Sequence, residues 1–379
     1  MTDLHSSARR GVGIAFTVVA ALTTSFFGGR LVFSRMTHGG SPVSDAAYAP
    51  TGMVWIRGGQ FSMGSADMVA RPNERPVHAV RVDGFCMDRH HVTNAEFRRF
   101  VQATGYVTTA ERKPDWEELK TQLPPGTPKP SESLLVPGAL VFVPTHEPVS
   151  LDDWTQWWRW VPGANWQHPE GPDSTILGKD NYPVVQVSFD DAQMFARWSG
   201  KRLPTEAEWE FAARGGLTHK RYAWGDEFRP QGNSMANTWQ GQFPLNVGEH
   251  GLTQVGSFPP NGYGLYDMTG NAWQWTADWY SADAYRSMAT AHKVVDNPTG
   301  PLESFDPEVG ENPRAPKRVI RGGSFLCSPD YCASYRPSAR RGETPDTSTS
   351  HIGFRLVRSP TRNNEIGGTL RCGPSGPAS

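Results

Sequence analysis

Cys327 and Cys332, in the order Cys-x4-Cys, are two of only four cysteines in a chain of 379 residues. Thiolates are soft donors that select Cu(I) over hard cations, and two of them can hold such an ion in a low-coordinate site with room for an incoming sulfur. The same spacing also suits a local disulfide or two unrelated thiols, so the residues alone leave three readings open. Structural zinc fits poorly, because only two of four customary ligands are evident and no histidine lies close in sequence. Cys86 falls in a strand-like run and reads as a buried thiol, whereas Cys372 lies in a Gly/Pro/Ser tail. Sequence gives no distance, so a bridge between them stays open. Glu206, Glu208 and Glu210 offer carboxylates, but Thr205 followed three residues later by Glu208 reads as a helix capping box with a solvated acidic face.

Several elements must position these groups. With 39 Gly, 32 Pro and 14 Trp, the chain reads as a turn-rich globule pinned by large aromatics rather than a bundle or regular barrel. Residues 53–63 and 77–87 alternate like strands, and Thr93-Asn94-Ala95-Glu96 opens an amphipathic helix with Phe97, Phe100 and Val101 on one face. Residues 109–150 are Pro-rich and poorly periodic, and Trp154, Trp157, Trp158, Trp160 and Trp166 crowd the segment that follows. Helices are expected over 188–199, capped by Ser188, and over 205–214. Charge is nearly balanced, 37 Lys and Arg against 38 Asp and Glu, which removes the basic field that nonspecific nucleic-acid binding needs.

Residues 1–35 read as an export signal or membrane anchor. Arg9 and Arg10 precede an uncharged stretch over 11–29, long enough to cross a bilayer core as a helix. An uncleaved anchor is favoured, with the remainder expected outside the cytoplasm and, in a bacterium, in the periplasm. Ala47-Tyr48-Ala49 is a weak cleavage site, and positive residues on both flanks leave orientation undecided. Residues 36–51 read as a linker, 52–358 as one folded domain and 359–379 as a flexible tail.

Four segments resemble the sulfatase-modifying-factor family: Gly52-Met53-Val54 through Phe61-Ser62-Met63-Gly64, Lys201-Arg202-Leu203-Pro204-Thr205-Glu206-Ala207-Glu208-Trp209-Glu210, Arg321-Gly322-Gly323-Ser324-Phe325 and Gly353-Phe354-Arg355. Two more, residues 163–174 and Cys327-Ser328-Pro329-Asp330-Tyr331-Cys332 leading to Thr344-Pro345-Asp346, are similar to its formylglycine-generating branch. The resemblance implies an α+β fold, a single large domain related to the C-type lectin fold with low regular secondary structure. It also implies a monomeric enzyme that uses Cu(I), held by Cys327 and Cys332, and molecular oxygen to oxidise a cysteine in sulfatase polypeptides to formylglycine. The cysteine pair would then be redox-active, with a disulfide as its inactive resting form.

The resemblance assigns further roles. Ser324 is expected to orient the reacting groups, and His351, where the family has asparagine, to face the groove. Independently of the resemblance, the charge of Arg336 and Arg340 suits them to acidic groups of a peptide or, equally, to a carbonyl or carboxylate inside the fold. One Ca2+ site would use Asp267, the carbonyls of Gly270 and Ala272, Gln274 in place of the usual glutamate, and Glu74. A second would use Asn237, the carbonyls of Thr238 and Leu252, and His250 where aspartate is expected; imidazole is a poor calcium ligand. The alternative function is a noncatalytic lectin-like binding protein, which would need neither thiol. A sulfoxide synthase with non-haem iron would need a helical domain for which the chain has no room.

Overall fold

The computed structural model describes residues 49–245, 251–290, 293–362 and 370–373. The expected anchor, most of the linker and His250 lie outside these residues. In chain order the elements are β1 (Met53–Ile56), β2 (Gly59–Met63), β3 (His78–Val82), β4 (Phe85–Asp88), α1 (Asn94–Thr104), the single turn α2 (Trp116–Leu119), β5 (Gly138–Phe142), β6 (Trp158–Pro162), α3 (Phe189–Trp198) and α4 (Glu206–Arg214). There follow β7 (Trp273–Trp279), α5 (Ala284–Ala289), β8 (Val295–Asp296), β9 (Arg318–Arg321), β10 (Arg340–Glu343), β11 (Ile352–Gly353), β12 (Val357–Arg358), β13 (Thr361–Arg362) and β14 (Leu370–Arg371). The domain is α+β, with short elements and long ordered loops, as the resemblance implied. Among the described residues no helix is long and apolar enough to cross a membrane.

The sheet that carries the cysteine loop has the order β10-β9-β7-β11, with β9 antiparallel to both neighbours and β11 parallel to β7. Two three-stranded sheets, β1-β4-β12 and β2-β3-β8, take in the first four strands. The alternating run over 53–63 divides between these sheets at Gly58, whose φ is 71°. A Cβ there would lie 2.5 Å from Asp83 backbone carbon. Glycine is therefore required where one connection crosses the other.

The helices form where their caps expect them. Thr93 with Glu96, Ser188 with Asp191 and Thr205 with Glu208 each close a capping box. Phe97 and Phe100 of α1 enter the main core, where the Phe97 and Phe195 rings stack at 5.8 Å. The α1 helix ends on Gly105 in the left-handed region. The segment without periodicity contributes β5, which pairs with the Trp-rich β6 from Gly138↔Pro162 to Phe142↔Trp158.

Two expectations are revised. The acidic face of α4 is not solvated: Glu206 and Glu210 are buried and matched by arginines from β9, β10 and α4 itself. The tail is pinned rather than free at Cys372, which is disulfide-bonded to Cys86 of β4, with β13 and β14 paired just before it.

Candidate active site

The cysteine loop begins where β9 ends at Arg321. Gly322 and Gly323 follow with φ of 96° and 70°. A Cβ on Gly322 would meet Met268 O at 2.7 Å, and one on Gly323 would meet the Ser334 carbonyl carbon at 2.9 Å. Both glycines are thus required by close backbone approach and by their φ. Ser324 O accepts the Cys327 N–H at 3.0 Å, and Ser328 O accepts the N–H groups of Cys332 and Ala333 at 3.1 and 2.8 Å. These bonds close a tight loop whose Cys327 and Cys332 Cα atoms are 4.7 Å apart, with the sulfurs joined as a disulfide. Cys327 is buried and Cys332 half-buried.

The loop forms the floor of a cleft of about 510 Å³ whose lining includes Ser324, Cys327, Cys332, Trp157, Trp158 and His351. The Tyr331 ring stacks on Phe243 at 4.6 Å and meets Trp157 edge-on at 5.3 Å. His351 lies against Trp158 at 4.8 Å, and its Nδ1 is 2.8 Å from Thr349 Oγ1. Burial pushes the His351 imidazole down to about 3, so it is neutral at physiological pH. Ser324 Oγ accepts the Leu326 N–H at 3.2 Å. The sequence reading of Ser324 and His351 as cleft residues is met in position. It missed Arg71, Trp157, Trp158 and Arg341, which line the same cleft; the crowding of tryptophans was the available signal.

Arg336 and Arg340 do not face the cleft. Arg336 Nη1 and Nη2 each donate to one Glu74 oxygen at 2.7 Å. Arg340 donates from Nε and Nη2 to Glu206 at 2.6 and 2.8 Å. Both guanidinia are buried, and leaving either unpaired would cost far more than a surface charge. Arg321 joins the second pair, donating to Glu206 at 2.5 Å and to Glu210 at 2.6 Å. Burial alone would raise the Glu206 and Glu210 carboxyls, but the guanidinia of Arg340 and Arg321, and of Arg214 and Arg321, outweigh it and hold both below their ordinary range. The cysteine loop is therefore clamped on its entry by Arg321 and on its exit by Arg336 and Arg340.

The soft donor set and adjacency of Cys327 and Cys332 fit Cu(I) once the disulfide is reduced. The residues expected around Ca2+ do not fit. Glu74 is spent on Arg336 and Ser338. Gln274 Nε2 donates to the carbonyls of Asp267 and Met268, while its Oε1 accepts from Trp209 and Arg355. Ala272 O is 2.9 Å from His91 Nε2, a ring that burial keeps neutral. In the second set, Asn237 Nδ2 donates to Gly251 O and Asn271 Oδ1, and Thr238 O accepts from Gln240. Two of the four carbonyls expected to face a cation, those of Ala272 and Thr238, are thus held by N–H donors. Among the described residues no group of three His, Cys, Asp or Glu side chains could hold a metal ion.

Fold and site together define a single-domain α+β protein with a cysteine pair at the foot of an aromatic cleft. The chain belongs to the family described as sulfatase-modifying factor enzyme 1-like, whose model matches residues 40–360. It is 48% identical over 315 residues to the formylglycine-generating enzyme of Mycobacterium tuberculosis, covering 82% of this chain and 98% of that one. The Thermomonospora curvata formylglycine-generating enzyme is 46% identical, with 82% and 94% covered. A bovine relative named inactive C-alpha-formylglycine-generating enzyme 2 is 38% identical, with 82% and 89% covered. Relatives named active and inactive both align along most of their length, so activity has to be argued from the site. Among solved structures, PvdO from Pseudomonas aeruginosa is 24% identical, with 80% and 93% covered at a TM-score of 0.49, too distant to add to the family model.

Proposed function

We propose that this chain oxidises a cysteine within a Cys-x-Pro-x-Arg segment of client sulfatases to formylglycine, using molecular oxygen and Cu(I) bound by Cys327 and Cys332. The observation that carries this is the placement of the pair: Cys327 and Cys332 are adjacent and both line a cleft that can receive a peptide side chain. A binding protein would need no thiols there.

Bound copper would supply one-electron chemistry towards dioxygen and an attachment point for the client sulfur. The client Cβ and thiol together lose two protons and two electrons, and the resulting thioaldehyde adds water and releases hydrogen sulfide to leave the aldehyde. Dioxygen accepts these two electrons, and two external thiols supply two more as they join in a disulfide, so that with four protons it is reduced to two waters. The chain's own residues position and enclose. Trp157, Phe243 and Tyr331 form an apolar wall beside the pair. Ser324, whose Oγ already accepts from Leu326, keeps its O–H to donate into the cleft. Neutral His351 offers a hydrogen bond without charge to the client backbone.

We also propose export, with the domain outside the cytoplasm. The uncharged stretch over 11–29 supports this, and so does the Cys86–Cys372 disulfide, a bond that persists in oxidising compartments.

The test is an anaerobic Cu(I) titration of the reduced domain against a chromogenic chelator. One tightly held copper per chain, lost in Cys327→Ser and in Cys332→Ser, is expected. Copper binding unchanged in both variants would exclude this site.

A further inference from the structure

Two guanidinia in the cleft remain without work. Arg71 and Arg341 line it together with Cys327 and Cys332. Neighbouring arginines are all spent, Arg336 on Glu74, and Arg321 and Arg340 on Glu206. Among the described residues, neither the Arg71 nor the Arg341 side chain has a carboxylate within ion-pair reach or a hydrogen-bond acceptor. Both are half-buried, so water compensates them only in part.

Their placement is built. Arg71 is fixed by its backbone N–H, which donates to Glu74 Oε1 at 3.2 Å, and Glu74 is the carboxylate that clamps Arg336. Arg341 follows Arg340 in β10, so its side chain leaves the opposite face of the strand and turns from the buried network towards the cleft. Burial and the neighbouring Arg71 charge push the Arg341 guanidinium down to about 10, still charged at neutral pH. The Tyr331 hydroxyl, in the same wall, feels both charges. The nearby carboxyls do not answer them. Glu308 attracts Arg341 without pairing with it, and Glu343 accepts the Thr344 N–H while burial raises its carboxyl.

We propose that Arg71 and Arg341 form an anion clamp in the client groove and select client segments that carry an aspartate or glutamate side chain near the target cysteine. The occupant follows from charge complementarity: two uncompensated cations in a partly desolvated cleft gain most from a carboxylate presented by the docked peptide. The proposal rests on the reading of this cleft as the client groove.

Binding of a peptide series tests it. A fluorescent Ser-x-Pro-x-Arg peptide, unable to react, carries a single Asp walked through the x and flanking positions, and each peptide is compared with its Asn counterpart. At one or two positions the Asp peptide should bind roughly tenfold more tightly, and the ratio should shrink with added salt. In Arg71→Gln/Arg341→Gln the ratio should fall to about one. In Arg71→Lys/Arg341→Lys, which keeps the charge, it should remain above that of the Gln variant. A wild-type ratio below about twofold at every position, or a ratio that survives in the Gln variant, would overturn the clamp. Oxidation of the Cys form of the Asn peptide, measured on the same wild-type preparation, reports separately on the oxidase reading.

Discussion

Arg336 and Glu74 meet in a two-pronged ion pair, both contacts at 2.7 Å, across a sequence separation of 262 residues. The pair joins the exit of the cysteine loop to the short turn Pro72–Glu74 that sets Arg71 in the cleft. One buried contact thus fixes the floor and one wall of the site. Removing either partner leaves a charge buried and unpaired. Glu74→Ala or Arg336→Ala should cost about 3–5 kcal/mol in chemical denaturation. Arg336→Lys should recover only part of this, because an ammonium cannot reproduce the two parallel bonds.

Stability should peak on the acid side of neutrality. Burial, aided by the Glu206 charge, pushes Asp278 up to about 8. An unfolded aspartate loses its proton near ~4, so between the two values the native state holds a proton that the unfolded chain has lost, and stability falls as pH rises through this window. Glu210 acts in the opposite sense. Burial would raise it, but Arg214 and Arg321 hold it at about 2, so its contribution is lost as pH falls below ~4. Asp278→Asn keeps an acceptor for the Glu206 N–H, a 2.7 Å bond in the native protein. Thermal melts should show this variant gaining several degrees over wild type at pH 8 and little at pH 5, roughly the effect of 1–2 kcal/mol. A constant offset at both values would remove Asp278 as the cause.

Calcium should matter little to this chain. Gln274 Nε2 donates to the Asp267 and Met268 carbonyls, at 3.1 and 3.2 Å, in the place where a glutamate would bring negative charge to a cation. Chelation with EDTA should leave the melting temperature unchanged. Gln274→Glu should lower it in EDTA, since a carboxylate then faces two carbonyls, and added Ca2+ should restore some of the loss. A wild-type melt that drops several degrees on chelation would show that these carbonyls do bind a cation.

The local features of this fold were legible and the distant ones were not. Thr93, Ser188 and Thr205 announce their helices because a capping box is written within four residues. The division of 53–63 at Gly58 was not, since it depends on Val82 and Asp83 crossing beneath it. Spacing draws attention to the cysteine pair, but its role and that of Ser324 come from the family resemblance. The arginines could not be sorted by type alone: Arg340 is buried against Glu206 while its neighbour Arg341 lines the cleft. Strand alternation separates the two, but only once β10 is known to be a strand. The burial of Glu206 and Glu210 is not legible because, apart from Arg214 one turn away, their partners Arg321 and Arg340 lie more than a hundred residues further along the chain.

The oxidase activity is measured most directly by the mass of a Cys-x-Pro-x-Arg peptide incubated with the reduced, Cu(I)-loaded domain, a thiol reductant and oxygen. Loss of mass matching replacement of CH2SH by CHO and trapping of the product by a hydroxylamine are expected, with no conversion either without oxygen or by the Cys327→Ser/Cys332→Ser variant. Unaltered peptide from a folded, reduced and copper-loaded protein would contradict that activity, and conversion undiminished in the double variant would contradict the role given to the pair.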